Sequence, residues 1–319
     1  MSQLLQIKER IRTITNLRKV TRAMELVTRT RINRSRLNAV SARVYHSMFA
    51  DLYALASSGT VTPTVRAGAS PAGRSAKTCV VAFLSQKGFC GGFNDRVLSR
   101  LVALLRELAV TTTETALDQT PAPEPELYLV GRRNSKWNYA LRREFTHIDA
   151  PERSFREGLA PLQRTLSAAV LEAMRPSGEP VEIYFVFNEL VSILEQKPMV
   201  LQVYPPEIVA GTPAVPATAP AAALAAEPLF EPDPEQLLPS LVPAYLEACL
   251  YRAYWETIAG ENAARLLSMK NANDNASKML DTLRVEYNKT RQMKITQELS
   301  EIVSAFDVLK SHQGHSGEE

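Results

Sequence analysis

Met1–Ser57, MSQLLQIKERIRTITNLRKVTRAMELVTRTRINRSRLNAVSARVYHSMFADLYALAS, contains no glycine and no proline. The other end of the 319-residue chain behaves alike: residues 244–313 hold no proline and one glycine, Gly260, although the chain has 20 prolines. So selective an absence marks two uninterrupted helices, about 85 Å and 105 Å long at 1.5 Å per residue. Ordinary domain helices run only a few turns. Helices this long bury an apolar face against each other or against a partner. In the first, Leu4, Ile7, Ile11, Ile14, Leu17, Val20, Met24 and Val27 recur at spacings of three and four, the pattern of a coiled-coil seam. Ile14, Leu17 and Val20 are spaced three and three, a phase slip expected to overwind the seam. After the polar stretch Thr28 to Arg36, read either as a solvated face or as a contact surface, the stripe resumes at Leu37, Val40, Val44, Met48, Leu52 and Leu55.

Between the helices lies a different pattern. Lys77–Leu84 (KTCVVAFL), Glu126–Gly131 (ELYLVG) and Val181–Phe187 (VEIYFVF) are apolar runs suited to buried strands, with a fourth strand expected within Val191–Val203. Helices are expected from Asn94 to about Leu108, around 133–143, and from Leu159 to Met174. Alternating strands and helices predict a small Rossmann-like α/β domain with a mostly parallel sheet. Residues 205–234 contain eight prolines and no Lys or Arg, the composition of a linker. The expected organisation is a shaft helix over 1–57, a linker over 58–76, an α/β foot over 77–204 and a Pro/Ala-rich linker over 205–238. A second shaft helix over 239–313 and a tail over 314–319 complete it. In that second helix Leu241, Tyr245, Cys249 and Tyr254 come first, Leu266, Leu267, Leu280, Leu283 and Tyr287 follow, and Leu299, Ile302, Val303, Phe306 and Leu309 end it at three-four spacing.

Charge is distributed unevenly. Residues 1–57 carry 11 Lys/Arg against 3 acids, within a chain whose net charge is only +3. A basic helix calls for an anionic partner. The overall charge is too low for a dedicated nucleic-acid module, and the run Arg29–Arg36 lacks the interleaved aromatics of many single-strand binders. No apolar run reaches membrane-spanning length, and the N-terminus lacks a signal-peptide core. Three scattered cysteines point to a reduced compartment, and four dispersed histidines offer no zinc-like cluster.

The turn Gly88-Phe89-Cys90-Gly91-Gly92 follows a strand and invites a phosphate-binding reading. It matches neither G-x-G-x-x-G nor the P-loop, so the glycines are read as backbone geometry and Cys90 as an inert buried thiol. No catalytic constellation, cofactor site or metal site emerges. Glu25 could serve as a general base, but its spacing suits pairing with Arg22 or Arg29.

Three segments carry a family resemblance: Ile14–Val27 (ITNLRKVTRAMELV), Glu261–Ala276 (ENAARLLSMKNANDNA) and Tyr287–Val303 (YNKTRQMKITQELSEIV). Together with Gly88–Gly92 and Phe230–Pro234 they resemble the gamma subunit of F-type ATP synthases. The resemblance implies an antiparallel coiled coil of the terminal helices, turning inside a hexamer of alpha and beta subunits. The foot would rest with epsilon on the ring of c subunits. It implies a non-catalytic rotor, peripheral on the cytoplasmic face of a bacterial plasma membrane and in contact with lipid only through the complex. Arg18, Lys19, Arg22, Arg29 and Arg31, with Met24 at their level, would face acidic surfaces of beta. Arg291, Gln292 and Thr296 would catch a beta loop, and Ile302, Val303 and Phe306 would form the apex. Met293-Lys294 depart from the small residues common there. A non-motor coiled-coil scaffold with an α/β head is the alternative, and a nucleotide-binding enzyme a third class resting only on the glycine turn.

Overall fold

The computed structural model describes residues 2–59, 77–115, 124–132, 137, 141, 143–175, 178–206 and 233–314. Most of the expected linkers, most of the helix expected around 133–143, and the last five residues fall outside these. The elements are α1 (Ser2–Gly59), β1 (Lys77–Phe83), α2 (Phe93–Thr115), β2 (Glu126–Val130), β3 (Thr146–Ile148), α3 (Phe155–Ala173), β4 (Val181–Leu190), β5 (Gln196–Tyr204) and α4 (Pro234–Gly314). By contacts the chain forms two units: residues 28–267, and the segments 1–27 and 268–319 together. Both divisions fall inside α1 and α4 rather than at their ends.

In the larger unit the sheet order is β3-β2-β1-β4-β5. β1 pairs in parallel with both β2 and β4, β2 pairs in parallel with β3, and β5 returns antiparallel beside β4. β1 is central and covered on both faces, which is why its sequence is a continuous apolar run rather than an alternation. Cys79, Val81 and Phe83 join one core, with Leu159, Leu162, Leu166 and Val170 of α3 and Leu246, Cys249 and Tyr254 of α4. Val80, Ala82 and Leu84 join the other, with Val97, Leu101 and Leu104 of α2. Sequence periodicity passes over β3, because three residues are too short to show a period.

α4 begins at Pro234, earlier than expected, and takes in Pro239 and Pro243 within its first turns. In this unit α1 and α4 run antiparallel. Ser35 meets Asn262, Arg43 meets Glu256, His46 meets Arg252 and Tyr53 stacks on Tyr245, so numbers rise on one helix as they fall on the other. The buried face of α1 is Thr28, Ile32, Ser35, Ala39, Ala42, His46, Tyr53 and Ala56. The more apolar stripe read from the sequence is the outer one: Leu37, Val40, Val44, Met48 and Leu52 are exposed, Leu37 at 67%. The inner face keeps regular three-four spacing and is made largely of small and polar residues.

The smaller unit repeats the lesson. Ile7 and Thr21 of α1 are buried, and Leu4, Ile11, Ile14, Thr15 and Arg18 are half-buried. Regular spacing continues from Ile14 through Arg18 to Thr21, so the expected phase slip does not occur. Leu17 and Val20, which suggested it, face outward. On α4 the inner line is Met269, Ala276, Leu280, Leu283 and half-buried Tyr287.

Candidate partner-contact surface

The basic residues of α1 divide by phase. Lys19, Arg22, Arg29 and Arg31 are exposed, whereas Arg18 and Met24 are half-buried. Arg18 lies on the inner line, one turn before buried Thr21, whose hydroxyl donates to the Arg18 carbonyl at 3.0 Å. Around the exposed cations stand exposed Leu17, Val20, Leu26 and Val27. This outer face is therefore mixed basic and apolar.

On α4, Arg291, Gln292 and Thr296 are all exposed. Gln292 and Thr296 are four apart and share a face. Ile295, Leu299, Ile302 and Val303 surround and extend them, all exposed, Ile302 at 64%. Lys294 pairs with Glu298 at 3.5 Å, and Gln297 donates to Glu301 at 3.0 Å. The Phe306 side chain lies outside the described residues. The two sets of expected contact residues thus sit on separate helix faces, each combining hydrogen-bonding groups with uncovered apolar surface.

The glycine turn follows two amides that are held by a buried carboxylate of α4. Of its glycines Gly91 alone has a left-handed φ, 57°, and Phe89 shares that region at 64°. A Cβ at Gly88 would meet nothing within 4 Å, so Gly88 is not required for geometry. The backbone N–H groups of Gln86 and Lys87 donate to the Glu261 carboxylate at 2.8 and 2.9 Å. A carboxylate of the chain's own helix already takes these donors. Cys90 is buried, and burial pushes its thiol up from the usual range. The other thiols are pushed up to about 11 at Cys79 and about 12 at Cys249, mainly by burial.

Glu261 belongs to a pair of buried sites that the sequence reading did not single out. Its partner is Arg265, whose guanidinium contacts the carboxylate and also donates to the Gly88 carbonyl at 3.0 Å. Arg265 further donates to Asn262 at 3.0 Å, and Asn262 donates to Ser35 of α1 at 3.3 Å. Five residues earlier, Glu256 is fully buried and accepts from the Leu190 N–H at 2.9 Å. Arg43 of α1 pairs with that carboxylate and donates to the Leu190 carbonyl at 2.8 Å. Glu256 accordingly holds the Arg43 guanidinium above its ordinary pKa. A signal was available: Glu256, Glu261 and Arg265, like Glu247 and Arg252, are charges set in the mostly apolar stretch Leu241–Leu267, and buried charges must be paired. Gly260, the lone glycine of that stretch, lies between them because a Cβ there would stand 3.1 Å from the Phe93 ring.

Among the described residues no group of His, Cys, Asp and Glu could hold a metal ion, and no helix is long and apolar enough to cross a membrane. A family model described as ATP synthase matches residues 3–309. The ATP synthase gamma chain of Saccharopolyspora erythraea is 33% identical, over 98% of this chain and 99% of that protein. The gamma chain of Polynucleobacter asymbioticus is 31% identical, over 95% of this chain and 98% of its own length. A chain of the Euglena gracilis mitochondrial ATP synthase has a similar fold, with a TM-score of 0.57 at 17% identity, covering 97% of this chain and 95% of that one. A central-stalk and c-ring structure of the Tetrahymena thermophila mitochondrial ATP synthase gives a TM-score of 0.51 at 15% identity, over 79% of this chain and 99% of that one.

Proposed function

The chain belongs to the ATP synthase gamma chain family, and on that premise we propose how it works: as the turning shaft that links a membrane ring to catalytic subunits. It is a central-stalk subunit of the complex, and the scaffold alternative is not favoured. The observation that carries the mechanism is the outward face of the smaller unit. Two helices bury their inner lines and leave Leu17, Val20, Val27, Ile295, Leu299, Ile302 and Val303 uncovered. A helix pair with so much apolar surface on its outside fits a sleeve.

The sleeve is the hexamer of alpha and beta subunits, and the foot rests with epsilon on the ring of c subunits. The subunit lies at the cytoplasmic face of a bacterial plasma membrane and touches it only through the complex. It carries out no bond chemistry, a role supported by its buried thiols and by the Gln86 and Lys87 amides before the glycine turn, which Glu261 already occupies. It acts by presenting different faces to each beta subunit as it turns, since a partner shifts a conformational equilibrium only through differential contacts. Lys19, Arg22, Arg29 and Arg31 meet acidic beta surfaces. Arg291, Gln292 and Thr296 form a catch whose hydrogen bonds are individually modest and are made at some rotor angles only. Alanine at Arg291, Gln292 and Thr296 together is expected to lower ATP turnover at least fivefold in a complex that still assembles. Unchanged turnover in the intact triple variant removes the catch from the mechanism.

A further inference from the structure

The order β3-β2-β1-β4-β5 puts a topological switch point between β1 and β4, where the chain leaves in opposite directions from two parallel neighbours. In open α/β sheets the crevice beyond the strand ends at such a point is where ligands bind. Here α4 fills it. Glu261 takes the amides that follow β1, and Glu256 takes the amide of Leu190 at the end of β4. Each carboxylate is buried and paired with an arginine, and each arginine also binds a carbonyl of the same strand-end segment. Both sites reach α1 as well, through Arg43 and through Ser35.

This arrangement has a mechanical meaning. The hydrophobic effect is non-directional, so by itself it holds α4 on the sheet without specifying which polar atoms α4 must meet. Charge-assisted hydrogen bonds are directional and about twice as strong as neutral ones. Two carboxylates making such bonds, on one helix and anchored in two different strand ends, fix its rotation about its own axis as well as its position. We propose that Glu256 and Glu261 are positioning residues that lock the α/β foot to both shaft helices, so that torque delivered to the foot reaches the catalytic subunits without slip. The proposal rests on the central-stalk reading above and adds to it the place where foot and shaft are joined.

The test uses the whole complex in inverted membrane vesicles, with the chain supplied as wild type or as the variant Glu256→Gln/Glu261→Gln. Gradient-driven ATP synthesis, ATP hydrolysis and deuterium uptake of the peptide containing Gln86–Gly88 are measured together. The expected result is synthesis reduced at least fivefold, hydrolysis changed less than twofold, and uptake at the glycine turn raised at least tenfold. Glu172→Gln, which removes an exposed pair with Arg175, serves as control and leaves all three unchanged. An unaltered ratio of synthesis to hydrolysis overturns the proposal, whether both rates hold or both fall in parallel. If the double variant does not assemble, Glu261→Gln alone is read in the same way, and failure of that variant to assemble also overturns it. A wild-type chain that does not restore synthesis to a gamma-depleted complex defeats the central-stalk reading itself, an outcome separate from the others.

Discussion

His46 is a base kept from its proton. It is buried against α4, with Arg252 at 3.3 Å and the Tyr245 ring beside it. Burial first, and Arg252 second, hold its pKa down to about 4 from the usual 6.5. The unfolded chain therefore takes up this proton near pH 6.5 and the folded chain only near pH 4. Between those values the unfolded state binds more protons, so stability is full above about pH 6.5 and declines as pH falls toward 4, by up to about 3 kcal/mol. We predict a lower urea midpoint at pH 5 than at pH 7.5, and a smaller difference for His46→Gln. An equal pH dependence in that variant would assign the loss to other groups. The role of His46 is not visible in the sequence, because it depends on Arg252, 206 residues away, and for Glu261 the sequence shows a charge among apolar residues but not the Gln86 and Lys87 amides it binds, about 175 residues away.

At the scale of the helix, α1 separates hydrophobicity from burial. Its inner face in the larger unit is small and polar, with Ser35, Ala39, Ala42 and His46, while Leu37, Val40, Val44 and Met48 face out. Ala42→Leu is expected to cost about 1–3 kcal/mol by overpacking. Val44→Ser should stay within about 0.5 kcal/mol in the isolated chain. Thermal or denaturant unfolding of the two variants decides which stripe is the seam, and the opposite ranking would restore the more apolar one. In the smaller unit Ile14 and Leu283 both lie on the inner lines of their helices, and we predict that they face each other. A Cys pair replacing Ile14 and Leu283, or their immediate neighbours, should form a disulfide under mild oxidation, given the Cα separations below about 7 Å that a bridge needs. Crosslinking of Ile14→Cys to Leu309→Cys instead would show the other register. The existence, type and rough extent of both helices and of four strands were legible in glycine and proline usage and in apolar runs. The phase of α1 was not, since a helix that meets partners on two sides carries two apolar stripes and its own sequence does not rank them.

For the molecule in its complex, the basic outer face of α1 is a spread of weak contacts. An exposed ion pair is worth about 0–1 kcal/mol, so neutralising one cation should be nearly silent. Reversing Lys19, Arg22 and Arg31 together to Glu should lower gradient-driven ATP synthesis by at least fivefold while the complex assembles, and full synthesis in that variant would contradict the role. The pairing of chain ends also has a consequence in time. Arg43 and Glu256 are 213 residues apart, and Ser35 and Asn262 are 227 apart. A ribosome adding about 5–20 residues per second needs roughly 10–40 s to cover that distance. Throughout the interval α1 is a newborn helix with an uncovered apolar stripe and no α4 to pack against, and both strand ends at the switch point wait for carboxylates not yet made. Folding of the foot is therefore gated by the end of translation, and a ribosome stalled before residue 256 leaves a fragment that exposes the surfaces most prone to aggregate.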